Sequence, residues 1–307
     1  MSASGHARRA AFTKLPLPAE VAFWALLVVL LASPLRDSPG VWPNPGDLLT
    51  PARKGPAMKP YYQTEDGSIR IFHARWEDVL AAGVFAPKDI ALVHADPPYG
   101  VNERTDRASK GRGKRHALTG GLAAAKNWAA VEGDNKPYSP QSILDLDRPT
   151  VLWGANHYAG RFLSSSPSWL VWDKREEVGS DDNADGELAW TNLGGPVRIF
   201  RHLWRGLCRA SEVGGAWHTL HPTQKPEALS EFVFAHAEKR KKLKRGDTVL
   251  IPYMGSFPDA RPAIVRGYKV IACEVAEEYC KTAVNARLRA VAKPIENAAL
   301  GPLFGAL

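Results

Sequence analysis

A chain of 307 residues, 45% hydrophobic and 23% charged, is long enough to bury a core without disulfide or metal staples, which excludes the disordered and disulfide-rich classes. Its formal charge of +8 suits a polyanionic partner without requiring one. Cys208, Cys273 and Cys280 have neither the spacing of a zinc site nor the density of a disulfide framework; they read as buried thiols in a reducing compartment, and no metal is expected.

In chain order, the apolar run Val21 to Ala32 follows Arg8, Arg9 and Lys14. It has the makings of a signal-peptide core or a short membrane anchor but is too short to span a bilayer comfortably. Pro34, Pro39, Pro43, Pro45, Pro51 and Pro56 then give a linker-like stretch. Residues 1–57 are therefore set apart as an N-terminal extension, with Met58 as the preferred translation start and an anchor or a disordered arm as the other readings.

From Ser68 onward the alternation Ile69, Ile71, His73 predicts a strand. Trp76, Val79 and Leu80 at helical spacing and the apolar run Ile90 to Val93 predict a helix and a second strand. Residues 101–135 lack periodicity and read as a long functional loop, with a short helix near Leu122 to Ala125. Further strands are expected at Thr150 to Trp153, Trp169 to Trp172, Val197 to Phe200, Thr248 to Ile251 and Lys269 to Cys273. Pro226 at a first-turn position opens a helix with Leu229, Phe232 and Val233 on one face, and Val275, Tyr279, Ala283, Val284 and Leu288 outline the last. Alternating elements of this kind make an α/β fold with a mostly parallel sheet and helices on both faces.

The sharpest chemical signal is Asp96-Pro97-Pro98-Tyr99-Gly100, directly after an apolar strand, where open α/β sheets hold their ligands. An exocyclic amino nitrogen of adenine or cytosine is a poor nucleophile, because its lone pair is delocalised into the ring. A carboxylate and a rigid backbone carbonyl that accept its two N–H bonds favour a tetrahedral nitrogen as a methyl group arrives. The two prolines supply rigidity and no competing donor, and the Tyr99 ring offers a stacking surface for a flipped base.

Here the chain resembles the amino-methylating DNA methyltransferases, in which Asp-Pro-Pro-Tyr is the catalytic motif and, in one permuted order, the cofactor motif follows it. His221-Pro222-Thr223-Gln224-Lys225-Pro226 is similar to the block before the family's cofactor-lining helix. Val151-Leu152-Trp153-Gly154-Ala155-Asn156-His157-Tyr158, Trp169 to Lys174 and Glu187-Leu188-Ala189-Trp190 are similar to a bacterial and phage subgroup. The likeness runs from about Met58 to Leu288. It implies a Rossmann-like fold of the S-adenosylmethionine-dependent type, S-adenosylmethionine as cofactor, double-stranded DNA as partner, adenine N6 as methyl acceptor with cytosine N4 as the alternative, a monomer or homodimer, and a cytoplasmic enzyme. Carried over onto this chain, Asp96, Pro97, Pro98 and Tyr99 are catalytic, and Tyr253, Met254, Gly255, Ser256, Glu274, Thr223, Lys225 and Pro226 hold the cofactor.

The chain departs from the family at Ile251-Pro252-Tyr253-Met254-Gly255-Ser256-Phe257-Pro258, where the family has an acid, Pro, an aromatic, Gly-Ser-Gly and Thr. Phe257 is expected to bring bulk and a backbone constraint into the path of the cofactor's methionine part, and Ile251 removes an acidic anchor. A decayed, DNA-binding relative is the rival reading. Glu274 after the next strand suits a grip on ribose hydroxyls.

Phosphate contacts are expected from Arg104, Arg107, Lys110, Arg112, Lys114 and Arg115, in the loop beyond the catalytic motif. Base readout is expected between residues 174 and 218, where Arg175, Asn183, Asn192, Arg198, Arg201 and Arg205 carry the right donors. The basic run Lys239 to Arg245 reads as a solvated face, Asn156 and His157 as structural or pocket-lining, Asp173 and Lys174 as local caps or pairs, and His221 as a hydrogen-bonded turn residue rather than a base.

Overall fold

The computed structural model describes residues 58–103, 105, 128–162, 165–176, 184–205, 208–211 and 220–289. The chain divides into two units, Met1–Ala52 and Arg53–Leu307; the N-terminal extension and the expected short helix at Leu122 to Ala125 lie outside the described residues. In the second unit the strands are β1 (Tyr62–Gln63), β2 (Ile69–His73), β3 (Leu92–Ala95), β4 (Thr150–Trp153), β5 (Trp169–Asp173), β6 (Gly186–Thr191), β7 (Arg198–Arg201), β8 (Trp204–Arg205), β9 (Cys208–Arg209), β10 (Thr248–Ile251) and β11 (Lys269–Glu274). The helices are α1 (Trp76–Ala81), α2 (Gln141–Leu144), α3 (Ala159–Phe162), α4 (Glu227–Lys239), α5 (Ala260–Arg266) and α6 (Glu277–Thr282), the last running on into a π-helical turn, Ala283–Leu288.

Nine strands form one sheet in the order β1-β2-β11-β10-β3-β4-β6-β5-β7. Its centre, β2-β11-β10-β3-β4, is parallel. These strands read as continuous apolar runs because both faces are covered. Alternate side chains enter two cores. Ile69, Ile71, Leu92, Val151, Val249 and Val270 pack with α4 and α5 through Leu229, Val233, Ala260 and Ala263. Phe72, Val93, Leu152, Leu250 and Ile271 pack with α1 and α2 through Trp76, Val79 and Ile143. Helices on both faces of a mostly parallel sheet are what the sequence predicts.

From β10 the chain crosses through α5 to β11 on one side, and from β3 it passes to β4 on the other. The connections diverge between β10 and β3, which opens a crevice beyond their carboxyl ends, the usual ligand position in such sheets. Both signature segments, Asp96–Tyr99 and Pro252–Pro258, emerge there.

Some predicted elements shift, and others, β6 and α5 among them, were not predicted. The strand predicted at Ile90 to Val93 begins at Leu92, because the Ile90 N–H closes a turn onto the Pro87 carbonyl at 3.0 Å. The strand predicted at Val197 to Phe200 runs from Arg198 to Arg201, and Pro226 is the N-cap of α4 rather than a first-turn residue. The strand β6 is antiparallel to both neighbours and starts at Gly186, where a Cβ would lie 2.6 Å from the Trp172 carbonyl oxygen. The helix α5 contains Pro262, which reads as a break but sits in the first turn, where no N–H is needed.

Candidate active site at the carboxyl ends of β3 and β10

A cavity of about 1320 Å³ opens at the crevice, lined by Asp96, Pro97, Pro98 and Tyr99 on one side and by Tyr253, Met254, Gly255, Ser256 and Glu274 on the other. It is roomy enough for more than one drug-sized ligand. The Tyr99 ring stacks on His157, with centroids 5.2 Å apart and planes at 18°. It lies over Gly154, whose φ of 67° and lack of a side chain are both required, since a Cβ there would fall 2.0 Å from the ring. The Tyr99 hydroxyl donates to Asp96 Oδ1 at 2.6 Å and lies 3.2 Å from Glu187 Oε2.

Lys225 completes this cluster. Its Nζ lies 3.2 Å from Asp96 Oδ2 and 2.7 Å from Glu187 Oε2, and it donates to the Tyr99 hydroxyl at 3.2 Å. Lys174 binds the other Glu187 oxygen at 2.8 Å. Two ammonium groups thus meet two carboxylates on the cavity wall, largely withdrawn from solvent, where pairing is what makes burial of charge tolerable. Burial alone would raise the Glu187 carboxyl, but Lys225 and Lys174 outweigh it and hold it at about 2. Burial pushes Asp96 upward, with Lys225 opposing and Glu187 reinforcing the push. Lys225 is destabilised by burial yet held above its ordinary value by the two carboxylates. Tyr99 is raised by burial and by the Asp96 charge, so its phenol stays protonated.

On the β10 side the structure corrects the expectation for Phe257. Its φ is 58°, the left-handed conformation that a glycine would take freely, but the side chain is 0% exposed within the core and is absent from the cavity lining. The bulk therefore points away from the crevice. Ile251 closes the cavity floor with 2% exposure. Glu274 accepts the Gly255 and Ala276 N–H groups, each at 2.9 Å; burial raises its carboxyl and these bonds oppose the rise. Asp259, N-cap residue of α5, lies on the same wall and makes no capping bond; its carboxylate instead lies 2.7 Å from His94 Nδ1.

Among the other expected residues, Thr223 lines the cavity and donates its N–H to His221 Nδ1 at 3.2 Å. Burial and the nearby Lys225 charge lower His221 to about 4, which fits a neutral turn residue rather than a base. Lys225, expected beside the cofactor, is engaged by Asp96 and Glu187, and Pro226 does not reach the cavity. Asn156 and His157 line it. Asp173 Oδ1 caps the N–H groups of Arg175 and Glu176, as foreseen, whereas Lys174 belongs to the buried cluster. Asn192, expected to read bases, is committed to the backbone: its Oδ1 accepts the Thr150 N–H at 2.7 Å and its Nδ2 donates to the Arg148 carbonyl at 2.9 Å. Arg175 is buried on the cavity wall and paired to Asp185 at 3.0 Å. Arg201 lies 3.8 Å from Asp173, and Arg198 is exposed.

Lys239 to Lys242, Lys244 and Arg245 are exposed, as predicted. Cys273 and Cys280 are buried free thiols. Arg104, Arg107, Lys110, Arg112, Lys114, Arg115 and Asn183, together with the side chain of Arg205, lie outside the described residues. Among the described residues no cluster could hold a metal, and no helix is long and apolar enough to cross a membrane. Sequence reasoning missed the roles of Glu187, Lys174, His94 and Asp259. The one available signal was a buried-type strand opening on a glutamate, Glu187-Leu188-Ala189-Trp190.

No family model matches the chain. Over 61 residues it is 43% identical to a DNA adenine methyltransferase of Escherichia coli (strain K12), YhdJ. That match covers 20% of this chain, and the chain spans 19% of the length of that relative. Among solved structures, the M1.HpyAVI–SAM complex overlaps 71% of this chain and 99% of its own, at 18% identity and a TM-score of 0.37. The PvuII cytosine-N4-specific DNA methyltransferase overlaps 74% and 88%, at 14% identity and a TM-score of 0.45. TTHA0409 of Thermus thermophilus, complexed with S-adenosyl-L-methionine, overlaps 72% and 95%, at 14% identity and a TM-score of 0.37.

Proposed function

We propose that the chain is an S-adenosylmethionine-dependent DNA methyltransferase that modifies N6 of adenine in double-stranded DNA. The observation that carries this reading is the Asp96–Tyr99 segment set at the carboxyl end of β3, facing the Gly255 turn across one cavity. The local likeness to a DNA adenine methyltransferase supports it, and the aspartate leading the tetrapeptide favours adenine. The later position of β10 in the sequence, beside β3 in the sheet, accords with a permuted member of the family.

The residues present fit the cofactor. Glu274, fixed by two backbone N–H groups, keeps lone pairs for ribose hydroxyls; the Gly255-Ser256 turn gives close backbone approach; and Phe257, facing the core, leaves the slot open. The Phe257 ring, facing the core, thus gives no support to reading the chain as a decayed relative, although the acid is still missing at Ile251. The cofactor, when bound, supplies an electrophilic methyl group on a sulfonium.

The chain's own residues then do three things. Tyr99 and His157 offer aromatic surface for a flipped base. Asp96 accepts one N–H of the amino group, which displaces the Tyr99 hydroxyl from Oδ1, and a backbone carbonyl of the Asp96–Pro98 segment is assigned the other, which localises the nitrogen lone pair. Lys225 holds Asp96 in place and balances its charge, and Glu187 in turn anchors Lys225. The proton released after transfer has Asp96, its carboxyl raised by burial, as the nearest acceptor. The basic loop of residues 104–115 is proposed to contact DNA phosphates.

The test is transfer of a tritiated methyl group from S-adenosylmethionine to duplex DNA, followed by nucleoside analysis. N6-methyladenine is expected, with Asp96→Asn slower by about 10²-fold or more. Labelled N4-methylcytosine would move the assignment to the other base, and unlabelled DNA of varied sequence would overturn the reading.

A further inference from the structure

Asp259 follows the Gly255–Pro258 turn and is only 4% exposed, yet it lines the cavity. An aspartate at an N-cap ordinarily turns its carboxylate onto the first helical N–H groups. This one makes no such bond and reaches back to His94 of β3 at 2.7 Å.

The state of that histidine follows from its second partner. His94 Nε2 receives the Trp153 Nε1–H at 3.0 Å, and an indole nitrogen only donates. The Nε2 lone pair is therefore in use, the ring proton sits on Nδ1, and the imidazole is neutral. Asp259 receives a hydrogen bond but no counter-charge. Among the described residues no lysine or arginine pairs with it. An ionised carboxylate out of water without a cation is costly, while His94 and Trp153 hold it in one orientation on the wall.

The register shows where that charge stands. Leu250 pairs with Val93, so Ile251 lies beside His94, one step further along. The carboxylate held by His94 thus lies next to the strand end from which the acid is missing at Ile251.

We infer that Asp259 supplies the anion that receives the ammonium of the cofactor's methionine end, a relocated substitute for an acid at position 251. The inference rests on the proposed use of S-adenosylmethionine and names the residue that selects its amino-acid part. His94 and Trp153 are positioning residues in this arrangement.

Calorimetric titration of the full chain with three ligands separates the possibilities: S-adenosylmethionine, S-adenosylhomocysteine, which keeps the ammonium without the sulfonium, and 5′-methylthioadenosine, which has neither. Asp259→Asn, which can still accept from His94 Nδ1–H, is expected to weaken the first two by about tenfold or more and to leave the third within about twofold, as a lost charge contact should. Adding Ile251→Asp to that variant is expected to restore most of the loss. Equal weakening of all three ligands would assign Asp259 a structural role, and no weakening would leave it idle; either overturns the inference while the cofactor reading stands. An unaltered chain that binds neither S-adenosylmethionine nor S-adenosylhomocysteine overturns that reading, and the inference with it.

Discussion

The ammonium of Lys225, one residue ahead of the N-cap of α4, stands 3.2 Å from a carboxylate oxygen of Asp96 at the end of β3 and 2.7 Å from Glu187 at the start of β6. Removing it leaves Glu187 paired with Lys174 alone and takes from Asp96 the ammonium that opposes its burial. Lys225→Met is expected to destabilise the chain by about 3–5 kcal/mol, the usual consequence of breaking a buried pair. Thermal unfolding of the variant checks this; an unchanged midpoint would show that the cluster carries no net stabilisation.

Phe257→Gly relieves a left-handed non-glycine backbone, worth about 1–2 kcal/mol, but empties a fully buried aromatic site, which costs about 3–5 kcal/mol. The sum is a net loss of about 2 kcal/mol, read from denaturant midpoints. Because the ring faces the core, cofactor affinity should not change. A marked gain in affinity in calorimetry would show that the side chain obstructs the slot after all.

Gly154→Ala places a methyl group 2.0 Å from the Tyr99 ring at a φ of 67°. The ring must leave His157, taking its hydroxyl from Asp96. Turnover should fall by about 10²-fold, the scale expected when a reacting group is displaced by an ångström, while cofactor binding holds. Kinetics that match the unaltered chain would mean that the Tyr99 position is immaterial.

His221 is neutral in the folded chain down to about pH 4, against an ordinary value of 6.5. Between those values the unfolded chain binds a proton that the folded chain refuses, so stability rises with pH over the window 4 to 6.5. The Glu187 contribution has a different window: its carboxyl, held at about 2, stabilises fully above its unfolded value of 4.5, and that contribution is lost as pH falls towards 2. Melting midpoints measured from pH 4 to 6.5 should climb less steeply for His221→Gln than for the unaltered chain; parallel curves would exclude His221 as the source.

The parallel strands were legible because burial on both faces demands uninterrupted apolar runs, as in Thr150 to Trp153 and Thr248 to Ile251. Asp96 to Tyr99 stood out because its chemistry is local. Glu187, Lys174 and Lys225 could not be joined from sequence, since the antiparallel return of β6 brings Glu187 to Lys174 and the distant segment ahead of α4 delivers Lys225. Phe257 misled for a related reason: the sequence shows a large residue in a glycine turn, but whether its side chain points at ligand or core depends on how that turn meets α5. Asn192 resembles a base reader in the sequence because its amide carries the right donors; its partners, the Thr150 N–H and the Arg148 carbonyl, are set by β4.

Because β6 runs against its neighbours, the β5–β6 hairpin turns at the same edge of the sheet as the carboxyl ends of β3 and β4. Residues added between Asp173 and Gly186 would emerge at the mouth of the cavity and leave the strand pairing of both neighbours unaltered. The scaffold thereby separates two kinds of change: substitutions in the parallel centre are constrained by two cores at once, while length changes at this hairpin are constrained chiefly by Lys174 and Glu187 at its base.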